Sequence, residues 1–388
     1  MPSITMLKVK LFYFLYFAAM SSLMPYFAMY YEARGVPGTQ IGILTALPSL
    51  ITMVAAPLWS GLGDATRRHK AILMLAAIGT AAGMAAILIG ETFAMLIPGV
   101  VLSALFLAPL LPIMDNAVLN KLGDRKADYG KQRLLGSLGP AVAGPTVSAA
   151  VGRFGLQWAF YSFIACFALL LVLLATMRID AGKLGTRFST GLTQLLRNAD
   201  LTIFLLSVFL GMVGYGANIT YLFLRLEEVG ASRSLLGFAL TVGTIGELPF
   251  LYFSPRLLRR IGTRGTLICS LLAMVTMLFG DAFARVPWVV IALQLLHGTA
   301  FSGMTVAGVA YADQVAPPGM GATAQGMFYA VFSGLGIALG SLTSSIMREH
   351  WGSHTMFQVA GLVALLGLML FLLAGKRRSV SAIKTQTA

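Results

Sequence analysis

Charged side chains are scarce in this sequence of 388 residues. Asp, Glu, Lys and Arg make up 11% of it, against about 25% in an ordinary soluble domain. Hydrophobic residues make up 57%. No polar stretch is long enough to form a separate soluble domain, and no GxxxxGK[ST] loop for nucleotide phosphates is present. The composition indicates an integral membrane protein that is not driven by ATP. Its transport or chemistry must take place within the helix bundle.

Cysteine and histidine are also rare, with two and four residues respectively. Cys166 and Cys269 both fall in apolar stretches, where they act as apolar fillers and predict no disulfide. The apolar stretches contain no cluster of His, Asp or Glu ligands and no nucleophile beside a base. We therefore expect no metal, no cofactor and no enzymatic activity.

Long apolar stretches are the dominant feature of the chain. Each is long enough to cross the ~30 Å hydrocarbon layer of a bilayer as a helix. The twelve predicted spans are 9–31, 39–61, 71–91, 94–118, 132–152, 156–177, 201–224, 234–254, 265–284, 287–311, 321–346 and 355–375. The first span is longer than a signal-peptide core and has no small-residue cleavage site, so we interpret it as retained. The predicted fold is an all-α membrane protein with twelve transmembrane helices.

The net charge of +14 follows a topological pattern. If the N-terminus is cytoplasmic, only six of the 28 lysines and arginines fall outside, namely Arg34, Arg153, Arg225, Arg233, Arg285 and Arg348. Positive charge concentrates on the cytoplasmic side of membrane proteins, so both termini are predicted to be cytoplasmic. The expected location is a bacterial inner membrane. We interpret the excess charge as a topology signal and an attraction to anionic lipid headgroups, and expect no nucleic-acid partner.

The sequence divides into two similar halves. Shifting the chain by 195 residues aligns Tyr26, Glu32, Gly35 and Gly42 with Tyr221, Glu227, Gly230 and Gly237. This offset pairs the end of span 1 with the end of span 7. We predict a six-helix bundle over 1–177, a cytoplasmic loop over 178–200, and a second bundle with a cytoplasmic tail over 201–388. Two such bundles with a site at their interface are typical of transporters.

Glu247 is the most unusual residue of the sequence, because it lies in the middle of the uncharged stretch 235–253. A charge at the bilayer midplane costs about 2.5–3.5 kcal/mol on insertion scales, so it must face protein or a wet cavity. A buried carboxyl can bind and release a proton near neutrality, which predicts a proton carrier. The alternative is a permanently protonated Glu247 that hydrogen-bonds between helices.

His297 is the histidine placed well inside a predicted span. A neutral imidazole can hydrogen-bond a solute hydroxyl or transfer a proton. A lone buried histidine is more often a structural hydrogen-bonding group, so a functional role for His297 depends on Glu247 being near it.

Asp115 and Arg133 are equidistant from residue 124, in the middle of the loop that joins spans 4 and 5. In an antiparallel helix pair this spacing sets both side chains at the same depth, about two turns from the inner surface. A guanidinium offers a planar fork to a carboxylate, or to a solute that displaces it. The alternative is that Arg133 extends to the inner surface and that Asp115 is structural.

Four motifs carry a resemblance to a known family. They are PLWSGLGDATRRHK (57–70), MDNAVLNKLGDRKADYGKQRLLGS (114–137), GEL (246–248) and LLHG (295–298). Together, and over essentially the whole chain, the sequence resembles the major facilitator superfamily. Within it, the sequence is similar to the lactose permease-like proton symporters and to the related nucleoside and phenylpropionate transporters.

The resemblance implies roles for the charged residues of the spans. Asp115 and Arg133 stand where the permeases carry a substrate-binding carboxylate and arginine, with Asp in place of Glu. Glu247 stands where they carry the carboxylate that couples the two halves, and His297 falls in their histidine segment. In the loop after span 2, Asp64 and Arg68 would belong to a gating element, although Ser60 and Arg67 replace its usual glycines.

Three departures bear on specificity and coupling. Pro140 replaces the sugar-stacking tryptophan of the galactoside permease, Ala300 its principal proton-carrying glutamate, and Met277 an expected arginine. We therefore do not predict galactoside specificity, and any proton coupling must depend on Glu247 first and on Asp115 second.

The sequence predicts a secondary active transporter that moves a small polar organic solute by alternating access with proton symport. The solute would be similar to a sugar, a nucleoside or an aromatic acid, with Asn116, Tyr26, Tyr221 and Asn218 as polar lining. The alternative is proton-coupled efflux of amphipathic compounds, which would suit the 20 methionines and 24 phenylalanines. The expected partners are the solute, protons and the bilayer. The oligomeric state is left open, and a monomer is allowed.

Overall fold

The computed structural model describes residues 3–122, 129–177, 179, 197–316 and 321–386. Within these ranges the chain forms helices joined by short turns, and no β-strand is present. The described helices are α1–α12, and the prediction of an all-α membrane protein is confirmed for this part of the chain.

The first six helices alternate long segments with tight turns. They are α1 (Ser3–Leu23, continued through the 3₁₀ turn Met24–Tyr26 into Phe27–Ala33), α2 (Gly38–Thr66), α3 (His69–Ile89), α4 (Phe93–Leu107 and Leu110–Leu122), α5 (Tyr129–Phe154) and α6 (Gln157–Ala175). Proline cannot donate a backbone hydrogen bond, and the interruptions of α1 and α4 coincide with Pro25 and Pro109.

The second six helices include two long runs that a single glycine divides. They are α7 (Ala199–Glu228), α8 and α9 (Leu236–Phe283, divided at Gly262), α10 (from Pro287–Leu293 to Gly303–Val315), and α11 and α12 (Gly321–Tyr329, Ala330–Leu335 and Gly336–Gln386, divided at Gly352). Gly262 and Gly352 have φ values of 71° and 77°, a left-handed conformation that glycine adopts without steric cost.

Nine stretches of the described residues are long and apolar enough to cross a membrane. Two of them contain a helix pair each, α8 with α9 and α11 with α12, so the nine stretches include every helix except α5. Helix α5 is rich in glycine and alanine and carries Arg153 near its end. Its small residues allow close approach of neighbouring backbones, as is common where membrane helices cross.

The chain forms two compact units. The first contains residues 1–186 together with 220–244, and the second contains 187–219 together with 245–388. The end of α7 and the start of α8 therefore pack with the first unit. The predicted division into one bundle over 1–177 and a second bundle over 201–388 stays a prediction.

A close contact between α5 and α8 lies within the first unit. A Cβ atom added at Gly144 would lie 2.7 Å from the carbonyl oxygen of Gly237, and one added at Gly237 would lie 2.5 Å from Ser148 Oγ and would overlap the Gly144 carbonyl. Thr241 Oγ1 also donates a hydrogen bond of 3.1 Å to the carbonyl oxygen of Ala141. We call this region the α5–α8 contact, and it depends on glycine at positions 144 and 237.

Candidate solute and proton site

Glu247 lies in α8 of the second unit and is partly exposed. Its Oε1 accepts a hydrogen bond of 2.7 Å from Oγ of Ser302 on α10, a buried residue. The two helices approach closely because Gly246 and Gly298 face each other: a Cβ on either glycine would overlap the backbone of the opposite helix. Small residues thus bring the carboxylate to its hydroxyl partner.

His297 is near enough to Glu247 for the two groups to interact electrostatically, and its functional role stays a prediction. The hydroxyl of Tyr215 on α7 forms a hydrogen bond of 2.7 Å with His297 Nδ1. The imidazole stacks on Phe301 with a centroid distance of 5.6 Å and an interplanar angle of 9°, and it interacts electrostatically with Glu247. We call Glu247, Ser302, His297 and Tyr215 the α7–α8–α10 cluster.

A π-helical turn shapes this cluster. Residues Gly298–Ser302 of α10 form the turn, which directly follows His297 and contains Ser302. Such turns are rare and occur frequently at functional sites. Helix α11 has a second π-helical turn, Ala330–Leu335, and its Phe332 contacts Phe301 with centroids 5.0 Å apart.

Asn218, which the sequence predicts as solute lining, is bound to another carboxylate of the second unit. Its Nδ2 donates a hydrogen bond of 2.9 Å to Oδ2 of Asp281 on α9. Both side chains are buried, and Asp281 is completely enclosed. Sequence reasoning missed Asp281, because it lies three residues from the end of its predicted span and resembles an ordinary acid at a helix end.

Asp115 lies in α4 of the first unit and has a partner that the sequence did not reveal. The hydroxyl of Tyr13 on α1 donates a hydrogen bond of 2.5 Å to Asp115 Oδ1. Asn116, the next residue, is half-buried. The side chain of Arg133 lies outside the described part of the structure, so its pairing with Asp115 stays a prediction.

Tyr26 and Tyr221 are both enclosed in the first unit, with 1% of each side chain exposed. Tyr26 shares a hydrogen bond of 2.5 Å with Ser148 Oγ and packs edge-on against Phe223, with ring centroids 4.9 Å apart. Contact with a solute would require the surrounding helices to separate. Their role as solute lining stays a prediction.

The loop after α2 contains the predicted gating residues. The side chain of Asp64 lies outside the described part, whereas the backbone N–H of Arg68 donates a hydrogen bond of 3.4 Å to Thr66 Oγ1. Arg67 ends α2 in a left-handed conformation, with φ of 54°, and its N–H donates to the carbonyl oxygen of Gly63 at 2.8 Å. Glycine adopts this conformation more easily, and Arg67 is one of the two positions where the resemblance expects glycine.

The described residues contain no group of three or more His, Cys, Asp or Glu that could hold a metal ion. Three carboxylates of the helices instead accept hydrogen bonds from neutral groups, namely Glu247 from Ser302, Asp115 from Tyr13 and Asp281 from Asn218. Such an arrangement is suited to exchanging protons and binding polar solutes.

Comparison with known proteins identifies the family. The profile of the MFS_1-like family matches residues 6–359, which is most of the chain. The chain belongs to this family. It is therefore a multi-pass membrane protein and a secondary transporter of the major facilitator superfamily.

Several relatives are similar to this MFS_1-like protein along almost their whole length. Maltose permease of Geobacillus stearothermophilus is 30% identical over 378 residues, which cover 95% of this chain and 94% of that protein. The multidrug resistance protein MdtG of Enterobacter lignolyticus (strain SCF1) is 24% identical over an alignment of 401 positions, gaps included, which covers 96% of this chain and 92% of that protein. The crystal structure of the nucleoside transporter NupG matches with a TM-score of 0.82 and 18% identity over 95% of this chain and 98% of that one. The NupG match shows the fold alone.

Proposed function

We infer that this protein is a proton-coupled symporter that moves a small polar organic solute by alternating access. The α7–α8–α10 cluster is the observation that supports this proposal most directly. The cluster brings together a carboxylate, an imidazole and two hydroxyls. All four groups lie in helices that are long and apolar enough to cross a membrane. Ionisable residues inside membrane helices generally mark solute pathways and proton relays.

In the proposed cycle, Glu247 first binds a proton. The neutral carboxyl keeps its hydrogen bond with Ser302 and no longer places a charge among apolar helices, which lowers the free energy of closing the site. The solute then engages Asp115 and Arg133, and the site opens to the other side of the membrane. Proton and solute are linked because each stabilises the same closed arrangement.

The solute class is proposed as a sugar, a nucleoside or a similar hydroxyl-rich compound. The similarity to a maltose permease supports this class. A carboxylate near a phenol hydroxyl, as at Asp115 and Tyr13, is a suitable acceptor for solute hydroxyls. Counterflow in proteoliposomes with a panel of sugars, nucleosides and aromatic acids would identify the solute.

Replacement of Glu247 by Gln tests the proton role. In proteoliposomes with an imposed pH gradient, Glu247→Gln should abolish uphill accumulation of a solute found by counterflow, while counterflow itself is partly retained. Glu91→Gln is the matched control, because Glu91 is an exposed residue between α3 and α4 and should leave both activities unchanged. Uphill accumulation by Glu247→Gln at the wild-type level would refute the proton role.

Replacement of Arg133 by Lys tests the solute site. Lysine keeps the charge but loses the planar fork, so Arg133→Lys should weaken solute binding by about 1.5–3 kcal/mol, or roughly 10-fold to 150-fold. Arg153→Lys, near the other end of α5, is the control. Unchanged affinity in Arg133→Lys would favour the interpretation that Arg133 only extends to the membrane surface.

Proton-coupled efflux of amphipathic compounds is the second candidate function. The full-length similarity to the multidrug resistance protein MdtG supports it. The two candidates predict opposite proton movements in vesicles that hold no pH gradient. A solute gradient should carry protons in the same direction under symport and in the opposite direction under antiport, and a fluorescent pH indicator inside the vesicles distinguishes them.

A further inference from the structure

The end of α6 brings together two lysines from two other helices of the first unit. Nζ of Lys70 on α3 donates a hydrogen bond of 2.6 Å to the carbonyl oxygen of Ala175, and Nζ of Lys8 on α1 donates one of 3.0 Å to that of Thr176. Ala175 and Thr176 are consecutive residues at the end of α6, and both are exposed. Two ammonium groups therefore meet at one exposed helix end. We call Lys8 and Lys70 the lysine pair.

The lysine pair brings more positive charge than the end of a helix requires. The unpaired carbonyls at the C-terminus of a helix are equivalent to a charge of about −0.5, whereas each lysine brings a full positive charge, which leaves an excess of about +1.5. The two carbonyls before that of Ala175 accept hydrogen bonds from backbone N–H groups of the chain that follows. Capping of α6 therefore does not account for two lysines at this position.

The helices around the lysine pair supply no compensating carboxylate. Helices α1, α3 and α6 contain no Asp or Glu. In the described part of the chain, neither lysine forms an ion pair with an acidic side chain. An ammonium group has three N–H donors, and among the described residues each lysine donates only to its carbonyl. The lysine pair can therefore also donate to the oxygens of a phosphate group, for which lysine is a common partner.

An exposed apolar face leads away from the lysine pair. On α6, Leu169, Val172 and Thr176 follow the helical spacing and share one face, on which Leu169 is 58% and Val172 65% exposed. On α1, Leu11 follows Lys8 by three residues and is also exposed. Both helices are long and apolar enough to cross a membrane, so this face contacts acyl chains. A phospholipid would use both the charge and the apolar face, whereas a soluble anion would use the charge alone.

We propose that the lysine pair binds the phosphate of an anionic phospholipid whose acyl chains lie along the exposed face of α6. Basic sites between membrane helices are suited to anionic headgroups. The lipid would belong to the leaflet on the predicted cytoplasmic side, because α6 ends there. The site uses residues of the first unit alone and does not depend on the solute or on proton coupling.

Native mass spectrometry of the purified, delipidated protein tests this without a known solute. The protein is titrated with phosphatidylglycerol or with phosphatidylcholine of the same acyl chains, and the wild type should bind phosphatidylglycerol more tightly. Lys8→Gln and Lys70→Gln should each weaken the binding of phosphatidylglycerol about fivefold, and the double variant roughly 30-fold. Glutamine can still donate to the carbonyl oxygen, so these variants remove the charge and retain the cap.

Two further variants are the matched controls. Lys10→Gln removes the same charge from α1, but residues two apart on a helix point to different faces, so the affinity for phosphatidylglycerol should stay at the wild-type level. Replacement of both Lys8 and Lys70 by Arg retains both charges and should retain the preference. If the double glutamine variant does not fold, the single glutamine variants and the double arginine variant still test the role of the charge.

Three outcomes would overturn the proposal. The first is equal affinity of the wild type for the two lipids. The second is an equal loss of affinity in Lys8→Gln and Lys10→Gln, which would reveal a general effect of surface charge. The third is displacement of phosphatidylglycerol by an excess of glycerol 3-phosphate, which would show that the lysine pair binds soluble anions and not a lipid.

Discussion

Substitutions at the α5–α8 contact should change the equilibrium between the arrangements of the helices. A Cβ added by Gly144→Ala would lie 2.7 Å from the Gly237 carbonyl oxygen, whereas ordinary contacts of this kind are about 3.5 Å. Helices α5 and α8 would have to separate by roughly 0.8 Å. In Gly237→Ala the added Cβ overlaps the Gly144 carbonyl and lies 2.5 Å from Ser148 Oγ, so the separation must be larger.

The magnitudes follow from the cost of overpacking. Extra atoms in a packed interior typically cost about 1–3 kcal/mol, and we assign the lower value to Gly144→Ala and the upper to Gly237→Ala. Since 1.4 kcal/mol is a factor of ten, the ratio of the closed to the open α5–α8 contact should fall about fivefold in the first variant and about 150-fold in the second. The gain in helix propensity from glycine to alanine stabilises both arrangements and does not shift their ratio.

Cysteine labelling measures this shift. Thr244 is buried on α8, seven residues after Gly237, and Thr244→Cys can serve as the probe in a chain whose Cys166 and Cys269 are replaced by alanine. The rate of reaction with a membrane-impermeant maleimide should rise from the wild type to Gly144→Ala and further to Gly237→Ala.

A matched control accompanies this series. Gly61→Ala should leave the labelling rate unchanged, because an added Cβ at Gly61 meets no atom within 4 Å. Equal labelling rates in all backgrounds would refute the idea that glycine at positions 144 and 237 controls access at this contact.

Three further predictions concern individual residues. Ser302→Ala removes the hydroxyl that donates to Glu247 and should cost about 1.5–3 kcal/mol of stability in detergent, measured as a lower Tm; an unchanged Tm would contradict a contribution from this bond. Tyr13→Phe removes the donor to Asp115 and should lower the Tm for the same reason, whereas the control Tyr161→Phe, at an exposed site, should not. Arg67→Gly should raise the Tm slightly, because glycine has no Cβ and adopts the left-handed conformation of this position without strain. Arg67→Ala retains a Cβ and should bring no such gain. Equal Tm values in the two variants would show that the backbone is unstrained.

The sequence alone determined the class of the protein and most of its helices. Runs of about 20 apolar residues are a local property, and each has to form a helix in lipid because its backbone must be hydrogen-bonded internally. Glu247 and Asp115 were also recognised from sequence as candidate site residues, because a carboxylate inside an apolar run is visible without knowing its neighbours. The turns at Gly262 and Gly352 agree with the predicted ends of spans 8 and 11 to within eight residues.

The tertiary structure alone decided which groups meet. Ser302 is 55 residues from Glu247, Tyr13 is 102 residues from Asp115, and Asn218 is 63 residues from Asp281. Each pairing depends on the rotation and depth of two separate helices, which close approaches at glycines such as Gly246 and Gly298 help to fix. No local pattern encodes these quantities. Asp281 shows the consequence, because only the packing of the neighbouring helices makes this acid near a helix end a fully buried carboxylate.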